Sequence, residues 1–423
     1  MLIEFSVENF LSFDERVTLS LVAAPELDAT DGLLANTFEG PGGIRLLKSA
    51  LLFGANASGK SNFVKAVLFA VSFIVGSAKD TQAGEEIGVK PFRLGVDQVE
   101  RGSDFGLTWI DGEALYKYSF SATTSRILAE RLSRSTAGEE AETLLFERDT
   151  TGIHVSGAFA EGKDVVSRTR ANALFLSVVA QLNGEESERI LTWFRERLLI
   201  ASGLEDETLM SVTMNALRGG GLTEDILRLA READLGITGI SPADITPDLL
   251  PRGISKKERQ RLLSGSYGTL RVQHRTFDSA GRASGEAVFH ISDESEGTQK
   301  LIALAGPLLL ALQQGMTSIL DELDARLHPR LTRAIVELYH RDSNPKSAQL
   351  VATTHDTNLL DRRLLRRDQI WFFEKTRRGA TKLYSLAEFD DIPEDARYER
   401  DYLLGKYGGV PNIGDLVAPE PAE

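Results

Sequence analysis

The stretch Gly54-Ala55-Asn56-Ala57-Ser58-Gly59-Lys60-Ser61 constrains this chain more than any other. It fits the pattern G-x-x-x-x-G-K-[ST] at every fixed position. The apolar run before it, ending at Phe53, predicts a strand, and Phe63, Val67 and Leu68 after it fall at helical spacing. Glycines let such a loop wrap so that backbone N–H groups point inward at phosphate oxygens. The N-terminus of the following helix adds unpaired N–H groups and partial positive charge. Lys60 places a full charge at the β- and γ-phosphates, and the Ser61 hydroxyl suits Mg²⁺. The expected ligands are therefore ATP and Mg²⁺.

The rest of the chain sets limits on that reading. With 423 residues it is long enough for two or three domain-sized units. The formal net charge of −14 rules out a global basic field for nucleic acid, so any such contact needs a local patch. Arg252, Lys256, Lys257, Arg259 and Arg261 form one, which reads either as a solvated helix face or as a nucleic-acid contact. The absence of cysteine excludes disulfides, thiol catalysis and Cys-ligated zinc. The N-terminal stretch, with Glu4 and Glu8 and no basic n-region, does not read as a signal peptide, so none is expected. The longest apolar run, Leu301 to Leu312, is too short to span a bilayer and contains Pro307. These features predict a cytoplasmic protein with no membrane partner.

Strands alternate with helices in both outer thirds, which predicts an α/β sheet assembled from two separated segments. The expected divisions are an N-terminal lobe over 1–150, a mainly helical insertion over 151–285, a C-terminal lobe over 286–390 and a loosely packed acidic tail over 391–423. The segment SERILTWFRERLLIA reads as one helix, and Gly219-Gly220-Gly221 separates two others. Asp111-Gly112 between two β-rich runs predicts a hairpin.

Phosphoryl transfer also needs a carboxylate for the metal and a group that positions water. Asp321 and Glu322 close a short apolar run, SILDE. An Asp-Glu pair alone reads as a helix cap. After a strand, in a chain with a phosphate loop, Asp321 becomes a candidate for the Mg²⁺ shell and Glu322 for the general base. His355 ends the apolar run VATTHD, where it could reach the γ-phosphate or the attacking water. Ser295, Gly297, Thr298 and Gln299 open a helix in DESEGTQKL; alone they read as an ordinary N-cap with Glu296 in the first turn, though their types also suit an anion. A second anion site for the same phosphates makes sense only if two chains share one nucleotide.

The ordered set NFLSF, GANASGKS, SEGTQ, LDE, LHP and TTHD resembles the ATPases of the ABC/SMC/RecF class. It is most similar to the AAA-type ATPases of bacterial abortive-infection and anti-phage systems (AbiLi/RloA-like and overcoming-lysogenization-defect-like). PFRL at Pro91, ANALFLSVVAQLN at Ala171 and the later DQIWFFEK add to the match. The resemblance implies an ABC-type P-loop ATPase head. Gly54, Asn56, Gly59, Lys60 and Ser61 match its Walker A loop, and Asp321 and Glu322 its Walker B pair. Ser295, Gly297, Thr298 and Gln299 match its signature, here SEGTQ rather than LSGGQ. His355 matches its switch histidine, and Asp324 to Pro329 sits where a D-loop would. It further implies a homodimer with ATP between subunits. No lid glutamine is identifiable; Gln82 and Gln98 flank PFRL without convincing context. Related defence ATPases often carry a C-terminal Toprim nuclease, for which too little chain follows LYSLAEF, so a separate nuclease or toxin effector is expected. A RecF-like DNA-repair ATPase and a slow ATP-dependent scaffold holding an effector are the alternatives.

Overall fold

Strand β5 (Ser49–Gly54) is buried at all six residues, because it lies mid-sheet with both faces covered. The computed structural model describes residues 1–27, 33–95, 101–139, 141–204, 206–244, 255–256, 268–393 and 395–411. A six-stranded sheet runs β11 (Leu198–Ser202), β15 (Thr317–Asp321), β16 (Gln349–Thr353), β5, β17 (Ile370–Lys375) and β18 (Thr381–Ser385). All neighbours are parallel except the β17–β18 pair. The sheet is thus assembled from two distant segments of chain, as the alternating pattern predicts.

A seven-stranded antiparallel sheet lies against it. Its order is β10 (Gly152–Val155), β9 (Thr143–Asp149), β8 (Ile127–Thr136), β7 (Ala114–Ala122), β6 (Ser103–Asp111), β1 (Leu2–Glu8) and β2 (Val17–Ser20). The Asp111-Gly112 hairpin forms, with Gly112 at φ 62° supplying the left-handed turn residue. Two smaller sheets complete the strands: β3 (Thr37–Glu39) with β4 (Arg45–Leu47), and β12 (Ile237–Asp244), β13 (Gly268–Phe277) and β14 (Ala283–His290).

Helix α1 (Lys60–Asp80) is sandwiched between the two large sheets. Phe63 meets Phe5 of one sheet at 5.3 Å and Phe373 of the other at 5.7 Å. Phe69 and Phe73 stack towards Phe105 and Phe120. Burial on both sides explains why α1 is apolar nearly all round. Among the described residues it is the one helix long and apolar enough to cross a membrane. Gln349, buried on β16, bonds both backbone groups of Leu2 and ties the sheets at their far end.

Helices α2 (Phe175–Gln181) and α3 (Glu185–Arg197) pack on the α1 side. Helices α6 (Glu296–Gln314) and α7 (Pro329–His340) cover the opposite face of the six-stranded sheet. Helices α4 (Asp206–Gly219) and α5 (Thr223–Glu232) form a satellite core with β12 and β13.

Two expectations change. SERILTWFRERLLIA is not one helix: Leu198–Ser202 leaves the helical register of α3 and joins the central sheet beside β15, and within 151–285 strands β12 and β13 also pair, in one sheet with β14. A four- or five-residue apolar run cannot be told from a helix end by periodicity alone. The tail is not loose up to residue 411: α8 (Tyr398–Leu403) and the turn after it join the core over the central sheet through Tyr398, Tyr402 and Tyr407. Three aromatic rings outweigh the acidic composition there.

Arg366 is fully buried and forks onto Asp368 at 3.0 and 2.8 Å, while Asp368 also accepts the Ala24 N–H at 2.9 Å. Removing Asp368 takes two charge-assisted hydrogen bonds from a buried guanidinium. Asp368→Ala is expected to cost about 3–5 kcal/mol of unfolding free energy, measured by urea titration, whereas a surface pair would cost under about 1 kcal/mol.

Candidate nucleotide site

The loop 54–61 connects the C-terminal end of β5 to the first turn of α1, so its position follows from the burial of both. Gly54 has φ 152°, and a Cβ there would sit 2.5 Å from the Phe373 carbonyl oxygen. Gly59 has φ 117°, and a Cβ would sit 2.3 Å from Thr381 Oγ1. Only glycine fits either place. Ala57 also takes a left-handed φ of 63°. The result is a concave backbone in which the N–H groups of Asn56, Ala57, Gly59, Lys60 and Ser61 donate to no protein acceptor among the described residues. The Ser58 hydroxyl is buried and likewise lacks a partner. Such a cradle of unpaired donors is chemically a site for an anion.

Lys60 is buried and donates to the carbonyls of Gly54 (2.5 Å) and Ala55 (3.1 Å). Burial pulls its pKa down to about 8, against the opposing pull of Asp321, Asp324 and Glu322. Those three carboxylates come from the next-but-one strand. Asp321 ends β15, and its Oδ1 accepts the Thr353 hydroxyl at 2.6 Å. The same hydroxyl accepts the Glu322 N–H at 2.7 Å. Thr353, at the end of β16, therefore fixes both acids. Glu322 stands at φ 53°, the left-handed region that ends the strand abruptly.

His355 follows β16 with its backbone N–H held by both oxygens of Asp324, at 3.1 and 3.2 Å. Burial and then Lys60 lower its pKa, with Asp324, Glu322 and Asp321 opposing. Burial and Lys60 thus both favour the neutral imidazole.

The predicted signature residues open helix α6. Ser295 caps α6, accepting the Thr298 N–H at 3.2 Å, and its hydroxyl meets Thr298 Oγ1 at 2.9 Å. Gln299 turns back to the Glu294 carbonyl at 2.8 Å. A Cβ on Gly297 would lie 3.1 Å from the Arg326 carbonyl, so this turn packs on the loop after Glu322. Among the described residues no hydrogen bond joins 295–299 to 54–61. The basic run is described only at Lys256, which is exposed; Arg252, Lys257, Arg259 and Arg261 lie outside the described residues, as does Gln98.

Several residues at the site carry no motif of their own. Thr381 Oγ1 donates to the Ser58 carbonyl at 2.7 Å and meets Ser12 Oγ at 2.8 Å. Asn62 also donates to Ser12, at 2.9 Å. A cavity of about 510 Å³ opens here, lined by Leu11, Ser12, Asn62, Pro91, Arg93 and Lys375. The place beside Asp321 in the sheet belongs to Ser202, and the next residue, Gly203, donates its N–H to the Asp321 carbonyl at 2.5 Å. The buried Lys300, one turn into α6, donates to the Gly203 carbonyl. An alternating Ser or Thr at a strand end is too common a pattern to read from sequence.

A phosphate loop at the end of a buried parallel strand, with carboxylates two strands away, defines the P-loop class of α/β nucleotide-binding folds. Within that class the chain matches, over residues 49–361, the family model described as "AAA domain, putative AbiEii toxin, Type IV TA system", and it belongs to that family. Among curated proteins none matches. Among solved structures, the chain is similar to an Smc head bound to the C-terminal winged-helix domain of ScpA (13% identity, 91% of this chain and 97% of that one, TM-score 0.46). It is also similar to the SMC head domain from Thermotoga maritima (12%, 91% and 98%, TM-score 0.35). A third is an Smc head with extended coiled coil bound to the C-terminal domain of ScpA derived from Pyrococcus furiosus (11%, 96% and 98%, TM-score 0.41).

The Lys60 shift has a signed consequence. Its folded-state pKa lies below the ordinary 10.5, so the empty fold gains stability as pH rises from about 8 towards 10.5. Phosphate binding needs the charged form, so affinity moves the opposite way. Affinity for Mg-ATP is expected to fall roughly tenfold between pH 7 and pH 9, and to stay flat in Lys60→Arg if that variant binds. Fluorescence titration at each pH checks it.

Proposed function

We propose that this protein binds Mg-ATP in the 54–61 loop and hydrolyses it, with Glu322 as general base. The observation that carries this is the set of five unpartnered loop amides in the loop that holds the buried Lys60 ammonium. The triphosphate takes those donors, and Lys60 exchanges its two carbonyl contacts for phosphate oxygens. Among the described residues there is no cluster of three His, Asp or Glu able to hold a metal by itself. Ser61 and Asp321 would hold Mg²⁺ through hard oxygen donors, a hydroxyl and a carboxylate. The metal supplies charge neutralisation between the phosphates. Glu322 accepts a proton from water at the γ-phosphate, while His355 hydrogen-bonds that water or the phosphate. The base and ribose occupy the cavity beside Ser12 and Asn62, whose volume suits a small ligand.

The match of Ser295, Gly297, Thr298 and Gln299 to an ABC-type signature supports a shared site, in which the signature turn of a second copy closes over the phosphates. The family description supports a defence role: a sensor or regulator in an abortive-infection module, acting with a separate effector. Glu322→Gln is expected to retain ATP binding while losing phosphate release by about 10²–10⁴-fold. In cells carrying the gene with its neighbours, phage plating should differ between wild type and this variant. Unchanged turnover would remove Glu322 from the mechanism, and unchanged plating would remove the defence role.

A further inference from the structure

The C-terminal segment 398–411 touches the site at two points that no nucleotide motif includes. At its far end, the Gly409 carbonyl accepts the Ala55 N–H at 2.7 Å, the first amide of the phosphate loop after Gly54. The second lone pair of that carbonyl is taken by the buried Tyr402 hydroxyl at 3.0 Å. At its near end, Glu399 accepts the Thr357 hydroxyl at 2.8 Å, two residues beyond His355.

The segment between these points is rigidly seated. Tyr402 and Tyr407 both stack on Phe372 of β17, at 5.3 and 5.9 Å. Tyr384 donates to the Tyr407 carbonyl at 2.8 Å. Gly408 and Gly409 take left-handed φ values of 67° and 68°, and a Cβ on Gly408 would lie 2.3 Å from the Tyr384 oxygen. The backbone turn that delivers Gly409 to Ala55 is thus specified by glycine and by aromatic packing.

The geometry points to 398–411 as a positioning strap that ties the phosphate loop to the switch-histidine loop, so that nucleotide in the one orders the other. Tyr402 and Gly409 act through Ala55, and Glu399 acts through Thr357. The inference rests on the nucleotide reading of 54–61. By linkage, a ligand that orders the loop must also stabilise the strap, to the same degree that the strap favours the ligand.

The test uses the full chain with Mg²⁺ and a slowly hydrolysed ATP analogue. Hydrogen exchange of the wild type should slow on binding in three places together: 54–61, 355–359 and 398–411. Tyr402→Phe, which deletes one hydroxyl from a packed ring, should raise KM and the analogue's Kd about three- to tenfold, the scale of one buried hydrogen bond, with kcat kept. A merely structural loss would lower the active fraction and leave KM alone. Lys60→Ala serves as the reference for the loop. If Lys60→Ala loses binding while protection stays within 54–61 and Tyr402→Phe binds like wild type, the strap is wrong and the nucleotide site stands. If Lys60→Ala binds like wild type, the nucleotide reading fails and the strap falls with it.

Discussion

The nucleotide site depends first on the burial of helix α1 between two sheets. Phe63 fills the space between Phe5 and Phe373, so the helix can neither shift along its axis nor rotate without opening an aromatic core. Its N-terminus is therefore fixed at the C-terminal edge of β5, and the loop that joins them has only one path. Gly54 and Gly59 are what that path demands, because Phe373 and Thr381 come too close for a side chain. The unpaired amides are a consequence of the packing behind them. They are held in place before any ligand arrives, which lowers the ordering cost of binding.

The charges at the site follow the same logic. Lys60 is buried within the field of Asp321, Glu322 and Asp324, yet burial outweighs their attraction and lowers its pKa. An anion that brings several negative oxygens reverses that balance. The two acids are held by one hydroxyl, Thr353, which accepts from the backbone of Glu322 and donates to Asp321. The parallel pairing of β15 with β16 sets that contact, so sheet register and the geometry of the acidic pair are one constraint.

Much of this was legible in the sequence. Strands and helices with long apolar patterns fell where expected: Pro329 to His340 forms α7, and the run through Thr353 forms β16. The loop and the acidic pair were legible because their chemistry demands rare residue types in fixed order. Strand β11 was not, since LLIA continues a helical apolar pattern and only its pairing with β15 decides otherwise. The packed part of the C-terminal segment was hidden by its acidic composition, because what holds it is three tyrosines whose partners lie elsewhere in the chain. Ser12, Thr353 and Thr381 could not be singled out, as their roles arise only from contacts that the fold creates.

The shared-site account is tested most directly by the solution mass of Glu322→Gln with and without Mg-ATP, measured by light scattering. The account predicts monomers without nucleotide and dimers with it, and no such shift when Ser295→Arg is added. A mass that neither ATP nor Ser295→Arg changes would contradict it. The loop 54–61 would then serve a site complete within one chain.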